Sequence, residues 1–176
     1  VGFYLISFFR VFILCLLWAC VLTPHAAIAQ TLLTYRQLPI KLVVEAGMEA
    51  IAVCKQSDYQ VTVTIVDKAG QRQFVAKGDN APTHTLDNSF NKAYTAVSLG
   101  TVYNKDTTSE LATLLLSKSP SSPLNLPGIS LSAGGMTIKA GNEIIAGIGV
   151  SGSPGGQFDE ACAKAGVEKI IDRLPR

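Results

Sequence analysis

The sequence predicts an α+β domain built on one five-stranded antiparallel sheet, with elements in the order α-β-β-α-α-β-β-β-α. Three observations carry that prediction. Extended segments are separated by turns of two to four residues, Asp67-Lys68-Ala69-Gly70, Gly134-Gly135 and Gly141-Asn142. Such turns force antiparallel pairing, since a parallel connection needs a crossover of a dozen or more residues. Apolar residues recur at spacings of three and four before the first hairpin, between the hairpins and at the C-terminus, which marks helices. The third observation is the segment Ser117–Gly128, whose three prolines and four serines make it a loop between two halves.

The first helix begins at Pro39, a residue suited to a first turn, and runs to Lys55 with Leu42, Val43, Ala46, Ala50, Val53 and Cys54 on its apolar face. Val61, Val63 and Ile65 alternate with Thr62 and Thr64, and Gln71–Lys77 resumes an extended pattern after the turn, giving a hairpin. A middle helix follows Gly78–Pro82, with Leu86, Phe90, Ala93 and Val97 as its stripe and Asn88, Asn91, Lys92 and Thr95 on other faces. A short helix, Ser109–Leu116, starts after Thr107 or Thr108 as cap. Ile129–Ser132, Met136–Lys139 and Glu143–Val150 read as strands. The last helix spans Gln157–Leu174, with Asp159 and Glu160 near its positive N-terminal end.

Residues 1–29 differ from the rest. They hold a single charge, Arg10, before the apolar run Val11–Leu22, and close on Ala27-Ile28-Ala29 after Pro24. This pattern predicts a secretory signal peptide cleaved after Ala29, with residues 30–176 as the mature domain. The alternative is a retained anchor, because Val1–Phe9 is also mostly apolar. Of the 15 Lys+Arg only Arg10 lies in this stretch, leaving 14 against 13 Asp+Glu. A balance so close to neutral excludes binding modes that need a basic field, including nucleic-acid binding. Periplasmic or secreted placement follows from the leader. Two cysteines remain, Cys54 and Cys162, too few for a disulfide framework or a zinc site.

Two motifs are misleading. Gly147, Gly149 and Gly152 spell G-x-G-x-x-G, yet the first two lie within a strand, and no second parallel strand follows before Arg176. These glycines are better suited to close packing in the last strand and a tight strand-to-helix turn. Gly149-Val150-Ser151-Gly152-Ser153 lacks the final glycine of a nucleophile elbow, and the mature chain has one histidine, His84, in no hydrolase order. H-E-x-x-H and C-x-x-C motifs are absent.

Several phrases taken together, VTVTIVDKAG (61–70), Gly78-Asp79-Asn80-Ala81, NKAYTAVS (91–98), TSELA (108–112) and the run 132–166, resemble the GlcG/HbpS-type haem-binding family, which includes the C-terminal domain of PduO-type proteins. The resemblance spans about residues 38–171. It implies a profilin-like three-layer α/β/α fold, homo-oligomers, and haem as cofactor. In such a fold the first and last helices share one face, so Cys54 and Cys162 are either bridged or two buried free thiols.

Haem needs an apolar slot, axial ligands and cations near its propionates. On that basis His84 is the candidate iron ligand, with Thr95 on nearly the same face of the middle helix and Lys92 as a propionate contact. Tyr94, Tyr103, Met48 and Met136 are further ligand types, and Arg72 and Lys77 further cations. The expected function is an exported haem- or tetrapyrrole-binding protein for haem capture, storage or sensing. Two alternatives are slow haem degradation at the same site, and a cofactor-free oligomeric module that partners a membrane sensor.

Overall fold

The computed structural model describes Thr31 and residues 34–118 and 126–176. The expected leader, 1–29, and the middle of the proline-rich loop, 119–125, lie outside the described residues. Its elements are α1 (Ile40–Gln56), β1 (Thr62–Asp67), β2 (Arg72–Lys77), α2 (Thr85–Tyr103), α3 (Thr108–Lys118), β3 (Gly135–Ala140), β4 (Glu143–Ser151) and α4 (Gly156–Glu168). A single 3-10 turn, Ile171–Arg173, follows α4. None of the described helices is long and apolar enough to cross a membrane.

The sheet is antiparallel with strand order β2-β1-β4-β3. It has four strands, one fewer than expected. Ile129–Ser132 is not a strand because its backbone is bonded elsewhere: Ser130 N–H donates to Thr95 Oγ1 at 2.8 Å, and the Ser132 carbonyl accepts from Thr108 Oγ1 at 2.8 Å. The outer edge of β3 is also taken, since Thr137 N–H donates to the Asp106 carbonyl at 2.8 Å and Thr107 bridges Met136. The resulting order is α-β-β-α-α-β-β-α.

The alternation of β1 divides the molecule into three layers. Val63 and Ile65 join a core with Val43, Ala46, Ala50 and Cys54 of α1 and Cys162, Ala163 and Val167 of α4. Val66 points the other way, into a smaller cluster with Ala93, Val97 and Ile144 beneath α2. Cys54 and Cys162 form a disulfide between α1 and α4, with Cα atoms 5.6 Å apart.

Helix ends follow local chemistry. Glu110 at the start of α3 accepts from Asp106 N–H and Thr107 N–H, while Thr107 Oγ1 accepts from Glu110 N–H. This is a reciprocal capping box, and it confirms Thr107 as cap. The β1–β2 turn is held by Asp67, whose Oδ1 accepts from Ala69 and Gln71 N–H, both at 2.9 Å. The final helix stops at Glu168, short of the expected Leu174.

The middle helix lies closer to the sheet than its composition suggests. A Cβ at Gly149 would run into the Ser89 carbonyl and the Ala93 nitrogen, and one at Gly147 into Val97 and the Ala93 carbonyl. The two glycines of the apparent nucleotide motif therefore seat α2 on β4. Gly149→Ala should push the helix outward and lower stability by about 1–3 kcal/mol, measured by urea unfolding. The buried face of α2 is polar in its first half: Thr85 pairs with Thr62 at 2.6 Å and Ser89 with Thr64 at 2.8 Å, hydroxyl to hydroxyl. Leu86, expected on the buried stripe, is 38% exposed.

Candidate functional site

Lys92 is buried. Its Nζ lies 2.7 Å from Asp159 Oδ2 and donates to the Val150 carbonyl at 2.9 Å, and the side chain is 2% exposed. Asp159 in turn accepts from Ser153 N–H at 3.0 Å through Oδ1. The pair ties α2 to the end of β4 and the first turn of α4. The amine, expected as a propionate contact, is held inside the protein by these two partners. Thr95 is also buried, donating to the Asn91 carbonyl at 2.7 Å while accepting from Ser130 N–H. Its hydroxyl orders the segment before β3.

His84 stands apart from both. It occupies the N-cap position of α2, is exposed, and makes no capping hydrogen bond with its side chain. The structure therefore does not gather His84, Lys92 and Thr95 into one site. Of the other ligand types, Met136 is half-buried against the main core and Tyr94 half-buried on α2, whereas Met48 is 50% exposed. No group of three or more His, Cys, Asp or Glu residues among the described residues is placed to hold a metal ion.

Met48 lines a cleft of about 370 Å³ between α1 and the end of β2. Its apolar surface comes from Met48, Ile51, Tyr59, Val61 and Ala76, and Lys55 and Lys77 add two cations. It continues into an exposed strip on the same helix, where Ile40, Val44 and Met48 follow one another at four-residue spacing. Val75 on the edge strand β2 is 44% exposed. The rim residues Lys77, Gly78 and Asp79 lead into the loop that ends at His84. Of this cleft the sequence picked out Met48 and Lys77 but not Ile51, Lys55 or Tyr59. The signal was present, because α1 carries Ile40, Val44 and Met48 outside its buried stripe.

Another cleft, about 280 Å³, lies on the opposite layer beside Tyr94. Near it Lys68 donates to Glu143 Oε1 at 2.9 Å, and this hydrogen bond, aided by Arg36, holds the Glu143 carboxyl below the usual carboxylate range. On the α1 side, Arg173 does the same for Glu45.

A family model described as haem degrading protein HbpS-like matches residues 38–168. The crystal structure of an HbpS double mutant from Streptomyces reticuli is similar at TM-score 0.72 and 33% identity, covering 83% of this chain and 95% of that one. A Klebsiella pneumoniae protein, ORFY, shares the fold at TM-score 0.71 and 20% identity, over 82% of this chain and 98% of its own. The fold also matches a PduOC:heme complex, at TM-score 0.68 and 22% identity, over 77% of this chain and 96% of that one. No curated protein gives a significant match. The resemblance in sequence, the matched length and the shared architecture agree: this chain belongs to the HbpS-like family.

Proposed function

We propose that this protein is an exported haem-binding protein, and that the cleft between α1 and β2 receives the macrocycle. The observation that carries this reading is the chemistry of that cleft: an apolar lining, a thioether at Met48, and two lysines in its lining. Haem is a flat apolar ring with two carboxylates, and it fits such a lining, with Lys55 and Lys77 taking the propionates. Bound haem would supply a redox-active iron; the protein supplies the slot, the cations and a ligand. The axial ligand is either Met48, in the cleft, or His84, at the end of the loop that leaves its rim. Imidazole is a strong iron ligand.

A volume of about 370 Å³ is near the lower end for enclosed ligand sites. A second copy seated on the Ile40–Val44–Met48 strip would complete the enclosure, which supports a homo-oligomer. The buried Cys54–Cys162 disulfide supports an oxidising compartment, in keeping with the expected leader and with periplasmic or secreted placement. Capture, storage or sensing of haem, the last with a membrane sensor as partner, are the roles such a protein would serve. Slow haem breakdown is the second reading, favoured by membership of a family described as haem degrading.

Titrating hemin into the full chain should give a shifted Soret band that saturates near one haem per cleft or per pair of clefts. Comparing His84→Ala with Met48→Ala then assigns the ligand, since only loss of the ligand changes the band's position. Breakdown would be read as loss of the band with release of iron under peroxide or a reductant, beyond a free-hemin control. A featureless titration at micromolar protein would overturn the proposal.

A further inference from the structure

The two edges of the sheet differ. That of β3 is closed by the Asp106 carbonyl and the bridge from Thr107, whereas no described residue bonds to the backbone along the outer side of β2. We propose that β2 is a docking edge for an extended acidic segment of a partner protein, which adds to the sheet as a fifth strand. This inference does not rest on the haem reading.

The ladder fixes which groups are on offer. Gly78 N–H donates to the Val61 carbonyl at 2.9 Å, so Gly78, Ala76 and Phe74 turn their backbone groups toward β1. Val75 and Lys77, lying between them, turn theirs outward. The register slips between Ile65 and Val66, which leaves Gln73 unpaired and brings Arg72 and Val75 to the same side. Val75 lies opposite Thr64, which bonds to Ser89 of α2, and Arg72 lies opposite Val66, which packs beneath α2.

On that side β2 is left open. Helix α1 packs on its other face against Phe74, while α2 sits chiefly over β4 and β1. The Arg72 guanidinium carbon lies 3.5 Å from the centre of the Phe90 ring, so the half-buried Phe90 marks the face of α2 turned to β2. Leu86, one turn earlier on that face, is exposed, as is Val75, the next outward residue of the strand. Together these side chains form a shallow apolar trench along the free edge, with Arg72 at one end.

Charge selects the occupant. The strand, RQFVAK, carries two cations and no carboxylate. Arg72 makes no ion pair or side-chain hydrogen bond with any described residue, and its stacking on Phe90 orders the guanidinium in advance. Two copies pairing through this edge would gather the cations of both strands with no carboxylate between them, and like charges across a ladder are destabilising. A strand with carboxylates flanking an apolar residue gives each cation a partner and sets the apolar residue over Val75. Its main chain takes up the outward N–H and C=O groups.

The probe is a capped heptapeptide in which threonine alternates with glutamate, valine and glutamate. It is titrated into the isotope-labelled full chain and followed by amide NMR, without hemin because Lys77 also lines the α1 cleft. The expected result is binding that saturates below about 1 mM, with shifts centred on the Val75 and Lys77 amides. Arg72→Gln, at an exposed position, should keep the wild-type melting temperature and weaken binding by about tenfold or more. Val75→Pro removes an outward N–H only, which an edge strand tolerates, and should abolish binding. The same peptide with every amide N-methylated should not bind, and this arm stands whether or not Val75→Pro folds. The proposal is overturned if no saturation is reached, if the N-methylated peptide or one with lysine for glutamate binds as well, or if Arg72→Gln binds unchanged. It is overturned equally if the Val75 and Lys77 amides shift with protein concentration alone, which would assign the edge to a second copy.

Discussion

Lys92→Met is expected to lower the stability of the domain by about 3–5 kcal/mol, because it leaves Asp159 buried without its counter-charge. Asp159 is 3% exposed, and its remaining partner is a single backbone N–H, from Ser153. Asp159→Leu should cost a similar amount by stranding the ammonium. The double variant Lys92→Met with Asp159→Leu should recover much of the loss, since a buried pair replaced by apolar groups of similar size is often neutral or better. Urea unfolding of the four proteins gives the coupling directly. Additive losses would show that the two groups do not depend on one another.

Removing the disulfide should have an effect of the same order. Cys54 and Cys162 are 108 positions apart, and closing a loop of about 100 residues restrains the unfolded chain by roughly 4.7 kcal/mol on the chain-entropy account. Native disulfides usually deliver about 2–5 kcal/mol, so a loss of about 3–5 is expected for the double Cys54→Ala, Cys162→Ala variant. Both sulfurs sit in the main core, with Cys54 fully buried and Cys162 4% exposed. A reductant should therefore act on the folded protein slowly and on the urea-unfolded protein fast. Equal unfolding midpoints with and without reductant would show that the bridge contributes nothing.

Much of the fold is legible because it is local. The α1 stripe, the Asp67–Gly70 turn, the Thr107 cap and the β3–β4 hairpin each follow from residues within a few positions of one another. Two of the departures from expectation have a different origin. Ile129–Ser132 has the composition of a strand, but its backbone partners, Thr95 and Thr108, are 35 and 24 residues distant. Helix α2 meets the sheet through Ala93 and Val97 of the expected stripe, but equally through Thr85, Ser89 and Lys92, while Leu86 is left exposed. Hydroxyl pairs with Thr62 and Thr64 satisfy that polar face, and periodicity of hydrophobicity has no means of marking it.

The site was less legible for the same reason. Lys92 looks like any solvated helix lysine until Asp159, 67 residues on, is placed beside it. The α1 groove is assembled from three separate stretches, and only Met48 and Lys77 had chemistry that drew notice beforehand. Glycines 147 and 149 show the reverse, since their pattern suggested a cofactor cradle and their use is close helix packing.

The central claim is that haem enters the groove between α1 and β2. Met48→Trp fills that groove from an exposed position, so the fold and melting temperature should be kept. Hemin titration of this variant, read at the Soret band beside the wild type, should show saturable binding lost or weakened by at least about tenfold. Saturation at the wild-type concentration, in a variant that melts normally, would contradict the account and place the haem elsewhere.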